Sequence, residues 1–456
     1  MTRARAGGLV ALAALVWAGP ASAHGIGGRG DLPISKTVYA TAAAYAVAIS
    51  FAAVGVLWRR PAIDRWAAGR ALPAGAGTVA RVLSPAGRAL GLAAFLLTLV
   101  AAWAGSTDSA RNFAPVSVYV VFWVGVLWLA AVFGPVWRAL NPWDTIALVA
   151  GRTRAPTPDP HPPDGSVVWS HWPAAAALLA FEWLELAYAD PASPRALALA
   201  ISAYSVAVLA MAARHGRRWL QTGEGFTVLF GLVAALAPVF RRDDGRVAVR
   251  VPFTGLARIV PRRGTVAVMV VVLGGTTFDG LSRTQWWGSQ VRLTAGWERT
   301  GVNTLGMILV IAAVAVVFLT AAFLAARIGR TDVAAAPGRY VHTLVPIALA
   351  YSVAHYFSLL VFQGQSAWRL LSDPLGRGWD LFGSADYPVN YLLLTTTSIA
   401  AVQTTAMIVG HVAGVVLAHD RGLEDIGAGR VVLAQLPMLV AMIAFTVTGL
   451  TLLLSA

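Results

Sequence analysis

Of 456 residues, 57% are hydrophobic and only 12% carry charge, a balance that excludes an ordinary soluble domain and predicts a polytopic membrane protein. The net charge of +14 is read as arginine-rich loops beside anionic lipid, with no nucleic-acid partner. Cysteine is absent, which excludes disulfides, a thiolate nucleophile and Cys-based metal sites. Any metal would be held by nitrogen and oxygen ligands.

The chain opens with a secretory-signal pattern over residues 1–23: Arg3 and Arg5, an apolar run from Gly7 to Gly19, then Pro20 and the small residues Ala21-Ser22-Ala23. Cleavage there would leave His24 as the mature N-terminus of a single polytopic domain, 24–456. About ten apolar segments follow, each near the length that crosses about 30 Å of hydrocarbon at 1.5 Å per residue. They lie near 37–58, 87–105, 115–137, 171–188, 195–213, 264–282, 303–326, 338–362, 391–418 and 431–455. The predicted fold is therefore an all-α integral membrane helical bundle. With an external mature N-terminus, most of the 35 Lys and Arg fall in cytoplasmic loops, as the positive-inside rule requires. That topology implies the plasma membrane, with both mature termini extracytoplasmic.

Two apolar stretches are too short to span. Asn141-Pro142-Trp143-Asp144 has an Asn N-cap, a Pro at the first helical position and an acid near the positive helix end, predicting an interfacial helix over 142–151. The stretch 225–240, flanked by basic residues, is read as interfacial or re-entrant. Long outer loops are expected from Arg283 to Gly301 and from Gly364 to Asn390, with Trp286, Trp287, Trp297, Trp368 and Trp379 as interfacial anchors or as part of a substrate-facing lid.

Ionisable residues at membrane depth mark candidate sites, because they are costly unless they face the bundle interior or a cavity. Alternating helix direction sorts them into two layers. The outer layer holds Glu182 and Glu185, three apart on one helical face, with Asp279, His355 and, at the mature N-terminus, His24. Asp279 follows a Gly274-Gly275 pair that is expected to loosen its helix, and precedes Arg283 at i+4. The inner layer holds His342 and His411, and Thr397, Thr404 and His411 form a polar seam with a seven-residue spacing. Depth separates His355 from His411 by about 15 Å, too far to share one haem iron. A terminal histidine offers amine and imidazole together, so His24, His355, Glu182, Glu185 and Asp279 form a candidate set for a divalent metal such as copper or zinc.

The stretches AHGIGGRGDLP (23–33), FGPVWRALNPW (133–143), TTFDGLSRTQWW (276–287), AHYFSLLVFQGQ (354–365) and GHVAGVVLAHDR (410–421) together resemble an actinobacterial polytopic family commonly labelled fenitrothion hydrolase, over essentially the whole mature chain. The resemblance implies a membrane protein linked by name to hydrolysis of an organophosphate ester. Such chemistry needs a metal-activated water or a general base, for which His355, Asp279, Glu182 and His24 are the candidates. The residues themselves favour a transport or metal-handling role with a small-molecule or metal-ion ligand. Phosphotriester hydrolysis is the alternative, and a structural role in a membrane complex is a third reading.

Overall fold

A computed structural model describes residues 36–151, 170–242 and 244–455; the predicted signal segment and His24 lie outside them. In chain order the main helices are α1 (Lys36–Leu57), α2 (Ala74–Ala104), α3 (Phe113–Phe133), α4 (Pro142–Val149), α5 (172–187), α6 (Pro194–His215), α7 (Gly225–Ala234), α8 (Thr265–Ser282), α9 (Gly296–Gly329), α10 (Ala336–Ser372), α11 (Thr396–Asp425) and α12 (Leu436–Ser455). Among the described residues, nine of these helices are long and apolar enough to cross a membrane, the architecture of a multi-pass membrane protein. The expected fourth span differs. In α5, 11 residues of α-helix are followed by 5 of π-helix, short of the roughly 20 residues a full crossing takes.

Proline and glycine explain the main irregularities. Pro85 lies inside α2, where it removes one backbone donor, and the apolar span proper begins nearby at Val82. Pro346 cannot donate to the carbonyl of His342, and the turn at 341–343 tightens to a 3-10 helix before α10 resumes at Leu344. α10 and α11 form the most extensive helix pair, for a reason written in GHVAG. A Cβ on Gly410 would sit 2.3 Å from the Ala350 Cβ, and one on Gly414 would sit 3.1 Å from the Thr343 carbonyl. Glycines four apart thus let the two backbones approach closely.

The two short helices are held differently. In α4, Asn141 caps as expected, its Oδ1 accepting from the Asp144 amide at 2.9 Å. Asp144 also pairs with Arg88 at 2.8 Å and Arg217 at 2.5 Å, tying α4 to α2 and to the end of α6. α7 is enclosed by protein, with all but Thr227 and Gly231 buried. It is followed by a hairpin absent from the sequence-based expectation: β2 (Val239–Arg241) pairs antiparallel with β3 (Val247–Val249), and β1 (Arg70–Ala71) adds on the other side of β3. Three-residue strands leave too little alternation to be seen by periodicity. The loop expected from Gly364 is helical as far as Ser372, and that from Arg283 contains a short helix, Gln285–Val291.

Burial raises the Asp144 carboxyl, but hydrogen bonds from Arg217 and Arg88 outweigh it and hold the group below the usual aspartate range. A depressed folded value means that the contribution to stability is present at neutral pH and is lost as pH falls through that value. Asp144→Asn should therefore lower the unfolding midpoint at pH 7 and flatten its fall below about pH 4. Thermal unfolding in detergent across pH would show this; parallel profiles for the two proteins would refute it.

Candidate functional site

Three helices bring the outer-layer residues together. α8 supplies Asp279, α10 supplies His355 and Tyr356, and α5 supplies Glu182 and Glu185. Asp279 is 3% exposed and has several partners. Its Oδ1 accepts from Arg283 Nε at 2.9 Å, and its Oδ2 accepts from the Tyr356 hydroxyl at 3.1 Å. His355 Nε2 lies 2.6 Å from the same Oδ2, but off the line of an N–H···O hydrogen bond. The His355 ring meets Tyr356 edge to face at 4.9 Å. The expected Asp279–Arg283 pair thus exists, and the same carboxylate also receives α10.

Glu182 has the opposite surroundings. It is 2% exposed, and neither carboxyl oxygen has a hydrogen-bond partner. It lies within electrostatic range of Glu185 and Asp279. The glycine pair does not break α8, which runs unbroken from Thr265 to Ser282. The two glycines instead make room: a Cβ on Gly274 would fall 2.7 Å from the Ile311 Cα, and one on Gly275 would fall 1.9 Å from Glu182 Oε2. The carboxyl of Glu182 is seated where a side chain would stand. Glu185 lies beyond the switch to π-helix at Trp183; the wider turn alters the angle between the two acids, and Glu185 is half-buried rather than enclosed. Short π segments in α-helices often occur at functional sites.

The inner-layer residues do not converge. His411 is fully buried, its Nδ1 2.8 Å from the Met407 carbonyl and its Nε2 without a partner. His342 is buried at the start of α10. In the seam, Thr404 Oγ1 is buried and unpartnered, while Thr397 is exposed.

Arg283 is paired with Asp279, and among the described residues no group of three or more His, Asp or Glu is arranged to hold a metal ion. His24, the fifth proposed ligand, lies outside them.

Sequence reasoning missed two polar centres. Glu224 is 0% exposed and caps α7, accepting from the amides of Phe226 at 2.9 Å and Thr227 at 2.8 Å. It also accepts from Asn141 Nδ2 at 3.2 Å, from Trp137 Nε1 at 3.4 Å, and from the hydroxyls of Tyr204 and Thr227. The signal was an acid directly before an apolar run, the position of a helix cap. Asp420 accepts from Trp58 Nε1 and the Ala62 amide, both at 2.8 Å, and the neighbouring His419 bridges Gln435 and the Trp58 carbonyl. Both residues fasten the end of α11 to the segment after α1.

No family model, curated protein or solved structure matches this chain. The functional reading therefore rests on the geometry.

Gly275→Ala offers a direct test of that geometry. Overpacking a filled site costs about 1–3 kcal/mol, so this variant should unfold measurably earlier in detergent. Gly301→Ala, with nothing within 4 Å of the added Cβ, should be neutral or slightly stabilising. Equal midpoints for the two variants would show that Glu182 is not seated against Gly275.

Proposed function

We propose that this protein couples proton movement to transport across the membrane, with Glu182 as the proton carrier and the Asp279–His355–Arg283–Tyr356 cluster as its neighbouring charge partner. The observation that supports this is the enclosed carboxyl of Glu182, which has no hydrogen-bond partner beside an ion-paired acid. A buried carboxylate without partners is costly as an anion, and intramembrane acids in helical bundles typically serve as proton or ion stations. Arg283, half exposed at the edge of the bundle and paired with the buried Asp279, is suited to act as a gate: its release from Asp279 opens the acids to the adjoining solution. The reading takes α5, shorter than the nine long spans among the described residues, to complete a tenth crossing together with its flanking residues. It also adopts a cleaved signal, external mature termini and a plasma-membrane location with the cluster in the outer half. The arginine distribution supports that orientation.

The test uses purified protein in proteoliposomes adsorbed on an electrode. A rapid pH jump should produce a charge displacement above that of empty liposomes. A response identical to that of empty liposomes would sink the reading.

Phosphotriester hydrolysis is the second reading, supported by the sequence resemblance and by the 2.6 Å approach of His355 to Asp279, which places an imidazole, the commonest general base, beside a carboxylate. Release of nitrophenolate from a chromogenic phosphotriester by the purified protein, lost in His355→Ala, would decide for it.

A further inference from the structure

We infer that the cavity between the start of α10, the end of α11 and the segment before α8 binds a phosphodiester bearing a free hydroxyl, the chemistry of an anionic phospholipid headgroup of the glycerol type. The cavity has a volume of about 360 Å³, and Arg258, Ile259, Pro261, Arg339, Arg421 and Asp425 contribute to its wall. It stands apart from the acid–histidine cluster: Arg339 and His355 are separated by about 24 Å along α10 at 1.5 Å per residue.

Three guanidiniums from three separate elements converge here. Each is held in place by one contact with an acid: Arg258 with Asp64 at 3.0 Å, Arg421 with Glu424 at 3.0 Å, and Arg339 with Asp425. Arg421 is fixed further by donating to the Ala257 carbonyl at 2.6 Å. A guanidinium carries five N–H donors, so these contacts orient the groups and leave donors unspent on three arginines that line the cavity. Among the residues that line the cavity, three guanidiniums stand against one carboxylate, that of Asp425. Asp64 and Glu424, paired with Arg258 and Arg421, lie outside the lining, so the wall itself favours an anion. The Asp425 carboxylate also disfavours a doubly charged phosphate, so a singly charged phosphodiester is the better match.

A second observation specifies the rest of the ligand. Asp425 Oδ2 is buried and lacks any hydrogen-bond partner. It is an acceptor without a donor, and a hydroxyl on the headgroup supplies one while guanidiniums hold the phosphate. On the rim, Val260 is 72% exposed. Apolar surface next to a basic pocket suits the glycerol backbone and first acyl carbons of a lipid, and basic pockets at helix ends are characteristic headgroup sites.

The experiment titrates purified full-length protein in detergent with short-chain phosphatidylglycerol and follows binding by calorimetry. Phosphatidylglycerol should bind saturably and phosphatidylcholine of the same chain length should not. Loss of one charge-assisted contact in Arg339→Gln should weaken binding about tenfold. Asp425→Asn should weaken phosphatidylglycerol relative to phosphatidylmethanol, which has the phosphodiester and no hydroxyl. Glycerophosphoglycerol, the headgroup without chains, separates the two sources. Equal affinity for it assigns the site to a soluble phosphodiester, and much weaker affinity assigns it to lipid. Equal binding of phosphatidylcholine, or unchanged affinity in an Arg339→Gln protein with a wild-type unfolding midpoint, would overturn the proposal.

Discussion

Glu182→Gln is expected to abolish the charge displacement that follows a pH jump, while leaving the protein folded. Glutamine keeps the length and shape of the side chain seated against Gly275 and removes only the exchangeable carboxyl proton. Stability should hold or rise, because a buried carboxyl without partners is replaced by a neutral group. That combination separates a functional carboxyl from a structural one. Glu185→Gln should have the smaller effect, since Glu185 is less enclosed than Glu182 and its carboxyl oxygens are not among the buried atoms that lack a partner. If Glu182→Gln kept the full wild-type signal, the proton would have to travel by another route and the proposed role of Glu182 would be wrong.

The largest loss of stability is expected from Glu224→Ala, at about 3–5 kcal/mol. One carboxylate there caps α7 through two amides and also receives Asn141, Trp137, Tyr204 and the Thr227 hydroxyl. Truncation strands these donors in a place with no water to replace the acceptor, and a stranded buried donor costs its full desolvation. Helix α7 is too short to be stable alone, so it should lose its seat against α3 and α5. Unfolding in detergent, read by tryptophan fluorescence, measures the effect. A midpoint equal to that of the wild type would mean that the network is satisfied by solvent. Glu224→Gln should lie between, since its amide oxygen still accepts although half of its acceptor capacity is gone.

These two residues show how differently a sequence exposes its polar groups. Glu182 was visible from the sequence because an acid inside an apolar run violates the local pattern, and Asp279 with Arg283 because a spacing of four puts both on one helical face. Glu224 stood at the edge of its run among Gly and Thr residues, where an acid breaks no pattern. Its partners come from residues 137–227, and a contact between segments so distant in sequence leaves no periodic trace. The contact between His355 and Asp279 spans helices α10 and α8 in the same way. The depth argument placed both residues in one layer, and packing decided that their side chains meet.

The sequence by itself determined that the chain is a bundle of membrane-length helices, where most of them begin and end, and which ionisable residues lie within them. Those properties follow from local hydropathy and the fixed rise of a helix, which no tertiary contact alters. Only the tertiary structure decided that α7 is enclosed, that Gly275 makes room for Glu182, and that Tyr356 and His355 of α10 meet Asp279 of α8. Each of those depends on which helix faces lie against each other at a separation of a few ångströms, and that is set by packing between residues far apart in the chain.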